Sequence, residues 1–207
     1  VLVIGLGLAG WWAVGRAGTW LGEKKDDLVG GAGCPFISDT EISSLVGGEV
    51  TLVRAGSLTS VVSTAVDGRV IPTAPSCWAV PGGAPSVQNP GRLMRIANHV
   101  GDDAATVFTG EATKARAGTA GGSGGTNRPY YGKAVIGLGD EAFCTTASAG
   151  TLSAGVLVRE GDRLVYVSLT PDFSKAVPRV TPGRPALPGN DDSCAMAQKI
   201  ARAVLTR

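Results

Sequence analysis

His99 is the only histidine of the chain, so any Ser–His–Asp relay would have to run through it. No G-x-S-x-G elbow accompanies it. Ser123, framed by glycines in GGSGG, stands in a stretch too poor in apolar residues to hold a nucleophile still. His99 is therefore expected to be an ordinary surface or boundary histidine. Gly132-Lys133 has the end of a phosphate-binding loop, but Asn127 and Ala134 occupy the places that need Gly and Ser or Thr. The acidic pairs Asp140-Glu141 and Asp191-Asp192 could each supply half of a carboxylate site. Adjacent carboxylates at a turn or helix start more often serve as caps and solvated charge, and Asp191 or Asp192 is expected to cap the last helix. Tyr130-Tyr131 beside Arg128 could offer a binding patch to a partner or a sugar. The simpler expectation is that the two aromatics pin the end of a loop.

The four cysteines, Cys34, Cys77, Cys144 and Cys194, form no C-x-x-C pair. That spacing disfavours zinc and thioredoxin-type redox chemistry, and one histidine makes a mixed Cys/His metal site poor. An even number of scattered cysteines behind an anchor points to two disulfides outside the cytosol. Four cysteines allow three pairings. The sequence-adjacent one, Cys34–Cys77 with Cys144–Cys194, is preferred, and four buried free thiols in a cytosolic protein are the alternative.

The first fifteen residues, VLVIGLGLAGWWAVG, carry no charge and admit two readings. Gly5, Gly7 and Gly10 spell G-x-G-x-x-G after a strand-like VLVI, which would serve a nucleotide-dependent enzyme. That fingerprint also needs a second strand, yet EKKDD and the glycine-rich LVGGAGCP follow. The favoured reading is a membrane span over 1–22, since about 20 apolar residues cross a bilayer. Arg16, near one end, can extend to the headgroups. Trp20 fits an interfacial anchor, while Trp11 and Trp12 lie deeper and fit it less well. The span's glycines would permit close helix packing. No small-residue cleavage site directly follows the apolar run, as a signal peptide would require. Cys34 in GAGC has a faint look of a lipid-attachment cysteine, against which EKKDD argues. Lys24, Lys25 and Arg16 favour a cytoplasmic C-terminal side by charge. The cysteines favour the opposite side and are given more weight.

Net charge is +2 and charged residues make up 17%, so electrostatics offers no case for nucleic-acid binding. Thirty-one glycines and 12 prolines foretell many turns. Aromatic content is 5%, much of it in the N-terminal segment, so Val, Leu, Ile and Ala must build the core.

Several elements can be read from pattern. A linker covers 23–33. Ser38-Asp39-Thr40-Glu41 is a capping box that opens a short helix through Val46, stopped by Gly47-Gly48. EVTLVRA (49–55) alternates like a strand, a strand pair over 60–71 would turn at Asp67-Gly68, and Cys77–Val80 is a short strand. Asn89-Pro90 would start a second helix with Leu93, Ile96, Ala97 and Val100 on one face, ended by Gly101. A strand is expected over 104–109, a mobile low-complexity loop over 115–128, and regular structure again over 134–138. Gly155–Arg159 and Arg163–Leu169 form the clearest hairpin, turning at Glu160-Gly161-Asp162. A proline-rich loop over 171–189 precedes a last helix whose Met196, Ile200 and Val204 share a stripe. Strands with separate helices imply an α+β domain, mainly antiparallel.

Cys34-Pro35-Phe36 with its short helix, Cys77-Trp78, Gly137-Leu138-Gly139-Asp140-Glu141-Ala142, the hairpin VLVREGDRLVYVSL and the closing ARAVLTR form a pattern. It resembles the secreted or lipid-anchored envelope proteins of actinobacteria grouped as a domain of unknown function. The resemblance covers 34–207 with gaps at the glycine-rich and proline-rich loops. The chain departs from it in its anchor, a helix where many members carry a lipidated cysteine. What the resemblance implies is an extracytoplasmic, membrane-tethered, non-enzymatic module with no catalytic residues to carry over.

The resulting expectation is an anchor at 1–22, a linker at 23–33 and an extracytoplasmic α+β domain at 34–207. It would act as an accessory or assembly subunit of a membrane or envelope complex. Its partners would be the lipid bilayer and other membrane or envelope proteins, with no nucleic acid and no cofactor. The competing functions are an envelope carrier of a lipid or small hydrophobic ligand, and the nucleotide-dependent enzyme.

Overall fold

The computed structural model describes residues 31–56, 70–81, 94–121, 125–147, 153–170 and 190–207. The expected membrane span with Trp11, Trp12, Arg16 and Trp20, and the Gly5-Gly7-Gly10 turn, lie outside the described residues. So do the 60–69 part of the expected strand pair and the 171–189 loop. No helix among the described residues is long and apolar enough to cross a membrane.

Among the described residues, three helices are α1 (Asp39–Val46), α2 (Ala104–Ala117) and α3 (Asn190–Leu205). The strands are β1 (Val50–Arg54), β2 (Ser76–Pro81), β3 (Met94–Val100), β4 (Thr119–Gly121), β5 (Gly125–Arg128), β6 (Tyr131–Val135), β7 (Glu141–Thr145), β8 (Ala154–Glu160) and β9 (Arg163–Leu169). Seven of them form one sheet in the order β1-β2-β3-β9-β8-β7-β6, every neighbouring pair antiparallel. Strands β4 and β5 make a separate two-stranded ribbon. The α+β class with a mainly antiparallel sheet is thus the observed one.

Helices cover both faces of the sheet. On one face α1 and α3 lie over Leu52, Met94, Ile96, Val156, Val158, Val165 and Val167. On the other, Phe108, Ala112 and Ala115 of α2 lie over Ala97, Phe143, Leu157 and Leu164. Successive residues of a strand point to opposite faces, so the central strands must be apolar on both sides. Strand β9 divides this way, with Val165, Val167 and Leu169 in one core and Leu164 and Tyr166 in the other.

This double burial corrects the expected second helix. Met94 and Ile96 face one core and Ala97 the other, so residues 94–100 are strand β3. A strand buried on both faces loses its period of two and mimics helical spacing over a short window. The expected strand at 104–109 is the start of α2 instead. Its β-branched Thr106, Val107 and Thr109 mislead locally. The buried set Ala104, Phe108, Glu111, Ala112 and Ala115 has helical spacing over the whole element. The loop expected over 115–128 holds the end of α2 and the β4–β5 ribbon. The structure expected over 134–138 is β6, which begins at Tyr131 and stops before Ile136.

Other local readings hold. The Ser38 hydroxyl accepts from the Glu41 amide at 3.3 Å, and Gly47 closes α1 at φ 73°. The β8–β9 hairpin pairs Glu160 with Arg163 across Gly161-Asp162, with Gly161 at φ 59°. Met196, Ile200 and Val204 form the buried stripe of α3. That helix begins at Asn190 and takes Asp191 and Asp192 into its first turn. The last three linker residues are not merely a linker. Ala32 bridges Val53, the Gly33 amide donates to the Leu52 carbonyl at 2.9 Å, and the Arg54 amide donates to the Gly31 carbonyl at 2.8 Å. Side chains of α1 complete this edge. Ser43 Oγ accepts from the Val50 amide at 3.2 Å, and Asp39 Oδ1 accepts from the Leu52 amide at 3.1 Å. An otherwise open strand edge is thereby satisfied.

Candidate functional site

The two faces of the sheet differ in chemistry. The face under α1 and α3 is filled by apolar side chains. The α2 face begins apolar, then becomes polar in the row beyond the helix contacts. Strand register sets Trp78, Arg95, Ser168, Gly155 and Thr145 side by side across five strands. Trp78 is 2% exposed and Arg95 1%. Ser168 and Thr145 are equally buried. One row nearer α2, the Tyr166 hydroxyl lies 3.2 Å from Thr145 Oγ1.

Arg95 organises this row. Its Nη1 donates to the Val70 carbonyl and its Nη2 to the Ile71 carbonyl, both at 2.9 Å. Its guanidinium carbon lies 5.9 Å from the centre of the Tyr166 ring. The turn it holds is strained, with Ile71 at φ 38°. A β-branched residue in that region costs on the order of 1–3 kcal/mol and persists only where surrounding contacts determine it. Here the planar guanidinium supplies two of them. The buried Trp78 Nε1–H has no hydrogen-bond acceptor among the described residues.

In this row the Arg95 fork is taken up by the Val70 and Ile71 carbonyls and the Thr145 hydroxyl by Tyr166, so the Trp78 N–H is the group that could meet an acceptor. His99 is on the same strand as Arg95 but four residues away, about 13 Å along the chain. Its Nε2 contacts Asp103 Oδ1 at 2.7 Å, which places it as the boundary histidine the sequence suggests. Sequence reasoning missed Arg95, because a helical reading of 89–101 places it among solvated polar residues. Its signal is a lone cation set among apolar neighbours in Met94-Arg95-Ile96-Ala97.

The remaining candidates make contacts within the fold. Asp140 and Glu141 grip Arg159, with Nη1 3.0 Å from Asp140 and Nε 2.9 Å from Glu141. Asp140 also accepts from the Gly161 amide at 2.9 Å, tying the β6–β7 connection to the β8–β9 turn. Tyr130 is buried, and Tyr131 stacks on Phe143 at 4.7 Å beneath the Arg116 guanidinium. The two tyrosines thus pack against the sheet and α2 just after the ribbon. Among the described residues no group of three or more His, Cys, Asp or Glu could hold a metal ion.

All four cysteines are paired as preferred. Cys34–Cys77 joins the segment before α1 to β2, and Cys144–Cys194 joins β7 to α3, each with Cα atoms 5.7 Å apart. Gln198 Nε2 sits over the second bridge, 3.3 Å from Cys194 Sγ and 3.9 Å from Cys144 Sγ. Compared with known proteins, the chain matches no family model, no curated protein and no solved structure.

Proposed function

We propose that the chain is a membrane-tethered extracytoplasmic module, an accessory or assembly subunit of a membrane or envelope complex, and not an enzyme. The observation that supports this reading is the pairing of every cysteine in two long-range disulfides. Such bridges persist where the compartment is oxidising. The apolar 1–22 segment supplies the tether in this reading.

Two measurements test it. A non-reducing peptide map of protein taken from cells should recover both bridges; free thiols throughout would overturn the compartment. The full chain, drawn from membranes in a native detergent, should bring a reproducible partner. A form lacking 1–22 should stay folded and lose that partner, and retention of the same partner would remove the tether from the function.

A second reading, carriage of a small ligand, is favoured by the Trp78 N–H, buried without an acceptor among the described residues. Leaving such a donor unmet costs about 1–3 kcal/mol. A ligand at this row would need a hydrogen-bond acceptor, which a lipid headgroup carries and a plain hydrocarbon does not. Native mass spectrometry should then show an adduct that Trp78→Phe removes. An empty protein in several preparations would dismiss it.

A further inference from the structure

The two disulfides differ in what a reductant can reach. Cys144 and Cys194 are both buried, at 3% and 1% exposure, and Gln198 covers their sulfurs. In the other bridge Cys77 is fully buried at 0%, whereas Cys34 is only partly buried. Thiol–disulfide exchange requires a thiolate to approach a sulfur in line with the bond it breaks, so access governs which bridge opens. Cys34 also lies on the lead-in to the domain. Apart from the bridge, that lead-in is held to β1 by the Ala32–Val53 pairing, with the Gly33–Leu52 and Arg54–Gly31 hydrogen bonds.

We propose that Cys34–Cys77 is a redox latch: a dithiol reductant opens it while Cys144–Cys194 stays closed, releasing residues 31–36 and baring the outer edge of β1. In the first step the reductant's thiolate attacks Cys34 Sγ. A mixed disulfide forms at Cys34, and Cys77 leaves as a thiolate that takes a proton from solvent. The reductant's second thiol then attacks its own mixed sulfur, closing its disulfide and freeing the Cys34 thiol. Two electrons pass from the dithiol to the bridge. Once the lead-in departs, the Leu52 carbonyl and the Arg54 amide lose their partners, while Ser43 and Asp39 still cap the Val50 and Leu52 amides. The bared stretch is short, the length of one or two strand hydrogen bonds. The latch depends on the relative access of the two bridges and not on the tether or its compartment.

The test is graded reduction of the full chain by dithiothreitol without denaturant. Free thiols are trapped with a maleimide and mapped by peptide mass spectrometry. Cys34 and Cys77 should be labelled at least about tenfold faster than Cys144 and Cys194. Equal rates, or earlier opening of Cys144–Cys194, would overturn the latch. Hydrogen exchange on the singly reduced protein reads the second half of the proposal. Peptides covering 31–36 and 50–54 should exchange faster, with α3 and the β8–β9 hairpin unchanged. Unchanged protection at 31–36 and 50–54 would show that the lead-in stays docked and would sink the release. Loss of protection everywhere would show that the bridge holds the whole fold, which equally overturns a local latch.

Discussion

At the scale of single residues, Arg95 and Gly155 carry the strongest expectations. Arg95 donates from within the sheet face to two consecutive carbonyls, those of Val70 and Ile71. Arg95→Met keeps most of the volume and leaves both carbonyls without those donors. Urea unfolding should show a loss of about 2–4 kcal/mol. Arg95→Lys should recover only part of it, since an ammonium cannot span two acceptors as a planar fork does. Gly155 stands in the middle of the polar row, paired with Ser168 and Thr145. A Cβ there would overlap the Val167 carbonyl oxygen and lie 2.7 Å from the Ser168 backbone. Backbone cannot move aside as a flexible side chain can, so Gly155→Ala should destabilise by roughly 3 kcal/mol or more in the same assay. A neutral result would mean that the β8–β9 pair relaxes freely. Neither role could be read from sequence. A glycine in an apolar hairpin and an arginine in a mixed segment acquire their meaning from strands that are distant in the chain.

Single elements divide by how local their determinants are. Helix α1 was legible because Ser38 and Gly47 lie within ten residues, and the structure uses both as caps, while the Glu41 carboxylate pairs with Arg207 instead of closing the box. The β8–β9 hairpin was legible for the same reason, since Gly161 supplies the left-handed turn. Strand β3 and helix α2 were not. Burial on both faces erased the alternation of β3, and β-branched Thr106, Val107 and Thr109 disguised the first turns of α2. The full length of α2 carries its helical signal, which a six-residue window cannot show. One prediction belongs here. Gly110 lies within α2, and a Cβ on it would meet nothing within 4 Å. Gly110→Ala should therefore raise stability by about 0.5–1 kcal/mol through helix propensity alone. Thermal unfolding would detect this as a higher Tm, and a drop would reveal a neighbour not seen at that position.

At the scale of the whole molecule, the class and the cysteine pairing were foreseen, while the layering was not. Counting strands and helices suggested a sheet with helices. Only the partition of β9 between two cores reveals that helices cover both faces. The pairing was legible because sequence-adjacent cysteines close the shorter loops, with separations of 43 and 50 residues. Loops of that length imply about 4 kcal/mol of stabilisation from each bridge, by restriction of the unfolded chain. Replacing Cys144 and Cys194 together by serine should lower the unfolding free energy by about that amount. A change under 1 kcal/mol would mean the α3–sheet packing already compacts the unfolded chain.

The strand order has a consequence for how the chain is made. Strands β1 to β3 form one local meander and β6 to β9 another, and the two meet only where β3 pairs with β9. On a ribosome, β3 emerges long before β9 does. Its inner edge must wait, unpaired, through the synthesis of α2, the ribbon and three further strands. Such long-range closure slows folding and exposes a hydrogen-bonding edge to other nascent chains. The seam at the centre of the finished sheet is thus the pairing in which the first strand waits longest for its partner.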